Sequence, residues 1–156
     1  MARRHRAERR DLVPDPKFNS ELVTRIINCA MRRGKKSISE GIVYGALEQI
    51  RSKSGEDPLE VLVRAVDNMK PRVEVKSRRV GGSTYQVPVE INRDRQLALA
   101  LRWLVQASIA RKGVRMEEAL ALELLDGYKN QGNVIKKRDD THRMAQANKA
   151  FAHYRW

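Results

Sequence analysis

The chain has 156 residues, 32 Lys+Arg against 19 Asp+Glu, and a formal net charge of +13. This length allows one domain with a real core, and 41% apolar with 33% charged residues excludes a collagenous or wholly disordered chain. The single Cys29 excludes a disulfide framework and a multi-cysteine zinc site. The longest apolar run, Leu97 to Leu101, falls far short of the roughly 18 residues of a bilayer span, and the basic start Met1 to Arg6 lacks the apolar centre of a signal peptide. A reduced, cytosolic setting and a polyanionic partner are the expectations that remain.

In chain order, residues 1–16 carry five arginines, then Pro14 and Pro16, and read as an extended arm that orders on binding. Leu22, Val23, Ile26, Ile27, Ala30 and Met31 recur at helical spacing, predicting a first helix over about Ser20 to Arg33 with Gly34 as its C-terminal cap. Cys29 falls on its apolar side and reads as packing. Ser37 and Glu40 form a capping box that starts a second helix, with Ile38, Ile42, Ala46 and Ile50, joined by Val43 and Leu47, as its buried stripe. Lys35 and Lys36 then face outward from the turn, and Gly41 and Gly45 offer a close approach to a neighbouring helix. Asp57-Pro58-Leu59-Glu60 starts a third helix with an Asp cap and Pro at the first position. Its apolar face is Leu59, Leu62, Val63, Val66 and Met69, and Pro71 ends it.

Between helices three and four the period changes. Val73, Val75, Val87 and Val89 alternate with polar residues around Gly81-Gly82, which is the pattern of a β-hairpin. A two-residue loop would scatter the valines over both faces. A three-residue loop, Val80 to Gly82, pairs Val75 with Val87 and Val73 with Val89, and is the favoured register. Beyond the valines nothing is available to bury, so a basic ribbon is predicted to project past the body, with Tyr85 beside Ser77 as its one aromatic. Helix four is expected over about Asn92 to Lys112, burying Leu97, Leu101, Leu104, Val105 and Ile109, with Trp103 in the core. Helix five runs from Met116 to about Tyr128 through Ala119, Leu120, Glu123 and Leu124, closed by Gly127 or Gly132. The last helix runs from about Val134 towards Phe151. The fold class is thus mainly α: a single domain of six helices with a protruding two-stranded hairpin (residues 72–90) and a C-terminal tail (149–156).

No catalytic constellation emerges. Gly34-Lys35-Lys36 fails as a phosphate-binding loop, because position 29 is Cys and position 36 is Lys. His5, His142 and His153 have no metal-ligand spacing, so no metal or cofactor is expected. Glu117-Glu118 and Asp139-Asp140 point apart on helices and read as favourable charges near the starts of helices five and six.

Twenty of the 32 basic residues fall in five short segments: Arg3 to Arg10, Arg32 to Lys36, Lys70 to Arg79, Arg111 to Arg115 and Lys136 to Arg138. All sit at predicted element ends, in loops or on the ribbon. A membrane-surface protein would instead show one basic amphipathic helix, and a helix-turn-helix reader one recognition face. An architectural DNA-binding protein, helical with a basic β-ribbon, is the alternative. Charge spread over many sides better suits a folded RNA read by shape and phosphates, and the low aromatic content argues against base-stacking sheets. The tail concentrates Phe151, Tyr154 and Trp156 with Arg155, a composition of interfaces and stacking contacts.

Taken together, Ser20-Glu21-Leu22, Ile26-Ile27, Gly34-Lys35-Lys36, Ile42-Val43 and Ala46, with the hairpin Val73 to Val89 and the ending Met144 to Trp156, resemble the seventh small-subunit ribosomal protein family. The resemblance covers essentially the whole chain. It implies a six-helix body with a protruding hairpin, and a primary binder of small-subunit rRNA that nucleates the 3′ major domain, the head. It also implies a place near the tRNA exit site, with the hairpin residues Arg78, Arg79, Gly81, Gly82 and Tyr85 facing tRNA and mRNA. The tail residues Phe151, Tyr154 and Trp156 would meet a neighbouring protein of the platform, with another head protein close by. Some members repress their own operon mRNA. On this reading Arg3, Arg4, Arg6, Arg9 and Arg10 thread between RNA helices. Lys35, Lys36, Arg72, Lys76, Arg95, Arg102, Arg111, Arg115, Lys136 and Lys137 hold phosphates around the body.

Overall fold

The computed structural model describes residues 10–154, with nothing stated for the Tyr154 side chain. Six helices enclose the core: α1 (Glu21–Ala30), α2 (Lys36–Ser54), α3 (Pro58–Met69), α4 (Arg93–Ala110), α5 (Met116–Tyr128) and α6 (Asn133–Ala147). The antiparallel strands β1 (Val73–Val80) and β2 (Ser83–Glu90) lie between α3 and α4, and a terminal 3-10 helix (Lys149–Tyr154) follows α6. The predicted architecture is therefore present.

The core joins Val23, Ile26 and Ile27 of α1 to Val43, Ala46, Leu47 and Ile50 of α2, Leu62, Val66 and Met69 of α3, Leu104 of α4, and Leu120 and Leu124 of α5. Trp103 is buried with them. Helices α3 and α5 touch at Gly127, where an added Cβ would lie 2.1 Å from Met69 Cε. Gly127 thus serves helix packing inside α5 instead of closing it. Gly132, with φ +93°, is the residue from which α6 starts. Gly45 likewise lies against Glu117, whereas Gly41 meets nothing. At α3, Asp57 caps through Leu59 N–H at 3.4 Å with Pro58 following, as the sequence indicates.

Several local expectations are corrected. Helix α1 ends at Ala30, where Met31 turns extended (ψ 131°) after donating the last helical bond to Ile27 O, and the buried Ser39 hydroxyl ties that same carbonyl to α2 at 2.7 Å. Arg33 (φ +53°) and Gly34 (φ +75°) then form the turn, so Gly34 lies beyond the helix end and does not cap it. Helix α2 begins at Lys36 with no side-chain cap, so the Ser37 box is not formed. The tie at Ser39 also sets the buried face of α2 at Ser39, Val43, Ala46, Leu47 and Ile50, leaving Ile38 56% exposed. Val63 and Ile109 are exposed too, while Val61, Ala65, Ala100 and Ser108 are buried in their stead. Helices with neighbours on two sides bury more than one stripe, which a single-face reading misses. Cys29 is exposed, not packed. Asp139 and Asp140 lie in the middle of α6 and pair with Arg138 and Arg143, so only Glu117-Glu118 sits in a first turn. The segment 10–16 is not uniformly loose: Asp15 is buried, accepting from Lys17 N–H at 3.1 Å, Phe18 N–H at 3.0 Å and Tyr44 O–H at 2.6 Å.

The hairpin register is also corrected. Val75 faces Pro88, Val73 faces Glu90, and Val80 faces Ser83 across a two-residue turn. Gly81 and Gly82 both have positive φ, +56° and +90°. Such a turn matches the right-handed twist of the strands, and only glycine takes both positions freely. The valines do split between faces: Val87 is buried and Val73, Val75 and Val89 are half-buried. Tyr85 consequently lies opposite Arg78, not Ser77.

Candidate nucleic-acid interface

The folded chain gathers basic segments that are far apart in sequence. Arg32 and Lys35 of the α1–α2 connection border a groove of about 290 Å³ whose walls include Ile38, Ile42, Ile109 and Met116. The last two flank the α4–α5 connection, so the segments 32–36 and 111–115 meet at one end of the body. The connection is tightly closed, with Lys35 N–H on Arg32 O at 3.1 Å and Lys36 N–H on Gly34 O at 3.0 Å. Its side chains are held outward on a short rigid turn. Lys36 has a loose pairing with Glu40 at 3.7 Å, while Arg32, Arg33 and Lys35 have no acidic partner among the described residues.

A second gathering lies at the hairpin base, where Lys70, Arg72, Arg138 and His142 line a polar cleft of about 390 Å³ with Asp67, Asn68 and Asn130. The Arg72 backbone N–H donates to His142 Nε2 at 2.9 Å, and the Arg72 side chain, which has no acidic partner among the described residues, lines the cleft. Burial, then Arg138, then Arg72 push the His142 imidazole below its ordinary range against the opposing pull of Asp139, favouring the neutral ring this bond needs. Asn68 Nδ2 donates to the carbonyls of Gly127 and Tyr128 at 3.1 and 3.2 Å, and Arg138 donates to Asn68 O.

The predicted cations separate into three kinds. Arg10, Lys35, Arg72, Arg102 and Lys136 are side chains without an acidic partner among the described residues, and Arg79 on the ribbon joins them. Lys76, Arg115 and Lys137 are lightly held: Lys76 by Glu74 at 3.8 Å, Arg115 by Glu117 at 3.9 Å, and Lys137 by Gln106 at 3.2 Å beside the Trp103 ring. Arg95 and Arg111 are internal struts. Arg95 grips Glu74 with two bonds, 2.7 and 2.9 Å, fastening α4 to the hairpin. Arg111 Nε donates to Glu123 Oε1 at 2.8 Å, and its other arm holds Asp126. Glu123 is 1% exposed with Oε2 unpaired, so Arg111 balances a buried carboxylate. Spacing along the chain does not mark Arg111 off from Arg115.

Arg32, Arg33 and Lys112 belong to the basic segments but not to the predicted phosphate contacts, and they are exposed and unpaired among the described residues. Clustering was the signal for them. Arg3, Arg4, Arg6, Arg9 and Trp156 lie outside the described residues. Phe151 is turned onto the hairpin, its ring 5.3 Å from that of Tyr85. Among the described residues no group of three or more His, Cys, Asp or Glu is placed to hold a metal ion, and no helix is long and apolar enough to cross a membrane.

The comparisons agree with this picture. Residues 2–149 match the family described as ribosomal protein S7p/S5e. The chain is 58% identical to the small ribosomal subunit protein uS7 of Gluconacetobacter diazotrophicus and 57% identical to that of Paramagnetospirillum magneticum. It is 55% identical to that of Xanthobacter autotrophicus, and all three alignments cover the full length of both chains. With the motifs, the helix order and the hairpin in agreement along its length, this chain belongs to the ribosomal protein S7p/S5e family.

Proposed function

We propose that this small-subunit ribosomal protein is a primary binder of head-domain rRNA, nucleating that domain's assembly through phosphate contacts at its two basic gatherings. The chain is a structural protein, not an enzyme, and its place is on the cytoplasmic ribosome. The observation that carries the RNA reading is the display of Arg32 and Lys35 at the groove, with Arg33 on the same closed turn, cations that have no acidic partner among the described residues. Unneutralised charge repels itself in the monomer, and a phosphate backbone relieves it while releasing counterions. Arg72, Arg102 and Lys136 extend the footprint to other sides of the body, and the tip residues Arg79, Gly81 and Gly82 are exposed for exit-site tRNA and mRNA. Neighbouring proteins of head and platform complete the surroundings. The architectural DNA-binding alternative finds no support in the family match.

The deciding experiment is competition between a head-domain rRNA fragment and duplex DNA at matched salt. The rRNA fragment should win, with affinity falling roughly 10³–10⁵-fold between 50 and 200 mM salt for six to ten neutralised phosphates. A preference for DNA would overturn the reading.

A further inference from the structure

We propose that Phe151 and His142 are positioning residues for the hairpin, so that the C-terminal segment governs how the ribbon is presented. The proposal rests on reading the hairpin as a nucleic-acid-facing arm. A two-stranded ribbon is marginal by itself and needs a third surface. Here that surface is the chain's own end.

The pairing puts Tyr85, Val87 and Val89 on one face of the ribbon, opposite Arg78, Lys76 and Glu74. Val87 is fully buried, and one step nearer the tip Tyr85 meets the Phe151 ring at 5.3 Å with planes inclined by 50°. Tilted aromatic pairs at this distance are attractive beyond their buried area. Phe151 is itself firmly placed: its N–H bonds Asn148 O at 3.0 Å, and Asn148 closes α6 through N–H and Nδ2 bonds to Met144 O at 3.2 and 2.8 Å. No loose linker separates α6 from the ring that supports the ribbon.

The second point of support is at the base. The Arg72 N–H, one residue before β1, donates to His142 Nε2 of α6 across 70 positions of sequence, while Arg72 O receives Ile91 N–H at 3.1 Å. The last peptide of the hairpin ladder is therefore tied to α6 through an imidazole. Two aromatic side chains that sequence reasoning gave to separate partners, Tyr85 to nucleic acid and Phe151 to a protein, instead spend a face on each other. A partner that takes Phe151 must compete with Tyr85, and in doing so it frees the ribbon.

The test is amide hydrogen exchange on the free, full-length protein, followed residue by residue in the hairpin and in α3 and α5. Phe151→Ala should speed exchange of the slow amides in residues 77–86 by about two- to tenfold, the size of a lost aromatic pair. Phe151→Tyr should retain protection. His142→Ala should loosen the amides nearest Val73 and Glu90, and His142→Gln, whose carbonyl can accept the Arg72 bond, should restore them. Unchanged hairpin exchange in both alanine variants would overturn the proposal, as would equal acceleration in α3 and α5. Since no RNA is present, failure of the rRNA reading would leave these outcomes unaltered.

Discussion

The α1–α2 connection and the α4–α5 loop both bring basic residues to one apolar groove, and they treat those charges in opposite ways. In the first, Arg32, Arg33 and Lys35 stand on a closed turn with no acidic neighbour among the described residues. In the second, Arg111 folds inward onto Glu123 and Asp126, and only four residues later Arg115 is 88% exposed. Similar composition thus yields one turn whose cations lack an acidic partner among the described residues and one loop anchored from within. The anchor places the loop beside the turn, so the fixed arginine serves the free ones. A net charge alone does not distinguish these roles.

The comparison breaks most sharply at Arg111. Arg111→Ala strips the buried Glu123 of its counter-charge and should cost about 3–5 kcal/mol of stability, read from urea unfolding. Arg115→Ala should leave unfolding unchanged. A loss below about 1 kcal/mol in the first variant would make the strut assignment wrong.

Replacing Arg32, Arg33 and Lys35 together by alanine should do the converse. Folding stability should hold, while the log–log salt slope of rRNA binding shrinks by about one unit per cation removed. Single-residue Arg115→Ala should shift the slope by about one unit at most. An unchanged slope in the triple variant would remove the turn from the interface.

The residues leading into α1 extend the contrast. Asp15 is buried but fully answered, and its bond to Tyr44 pushes the phenol up to about 12 from its ordinary 10. A raised folded-state value means that this stabilisation is whole below pH 10 and is lost as pH climbs through about 12. Tyr44→Phe should therefore cost about 1–2 kcal/mol at neutral pH by leaving one Asp15 oxygen unsatisfied. A neutral substitution would show that solvent replaces the hydroxyl.

The smallest effect should come from acid at the hairpin base. His142 faces Arg138 and Asp139 on its own helix, Arg72 ahead of β1, and Lys70 with Asp67 of α3 across the cleft. Its folded-state pKa lies below the ordinary 6.5, so its contribution is present above pH 6.5 and fades as pH falls through the depressed value. The unfolding midpoint should drop slightly more between pH 7 and 5 in the parent than in His142→Gln. Identical pH profiles would show that the imidazole bond is not sensed by the fold.

Much of the architecture was legible in the residues because its signals are local. Asp57-Pro58 marks the start of α3, and Met116 to Tyr128 bounds α5 as observed. The change from helical to alternating period locates the hairpin. Contacts from elsewhere in the chain were not legible: the Ser39 hydroxyl, twelve residues on, ties the Ile27 carbonyl near the end of α1 to α2. The ribbon register was not legible in the valine pattern, because turn twist sets it and both faces near the base are partly covered.

The interface divides along the same line. Sequence by itself determined that basic residues collect at turns, ribbon and chain ends, and its motifs led to the family. Which cations remain available was decided by tertiary structure alone. Whether Arg111 or Arg115 meets Glu123 depends on how α4 and α5 cross, and whether Arg95 faces RNA or Glu74 depends on where the hairpin lies. Charge is a property of composition, but its neutralisation is a matter of distance, and distances across the chain exist only once it has folded.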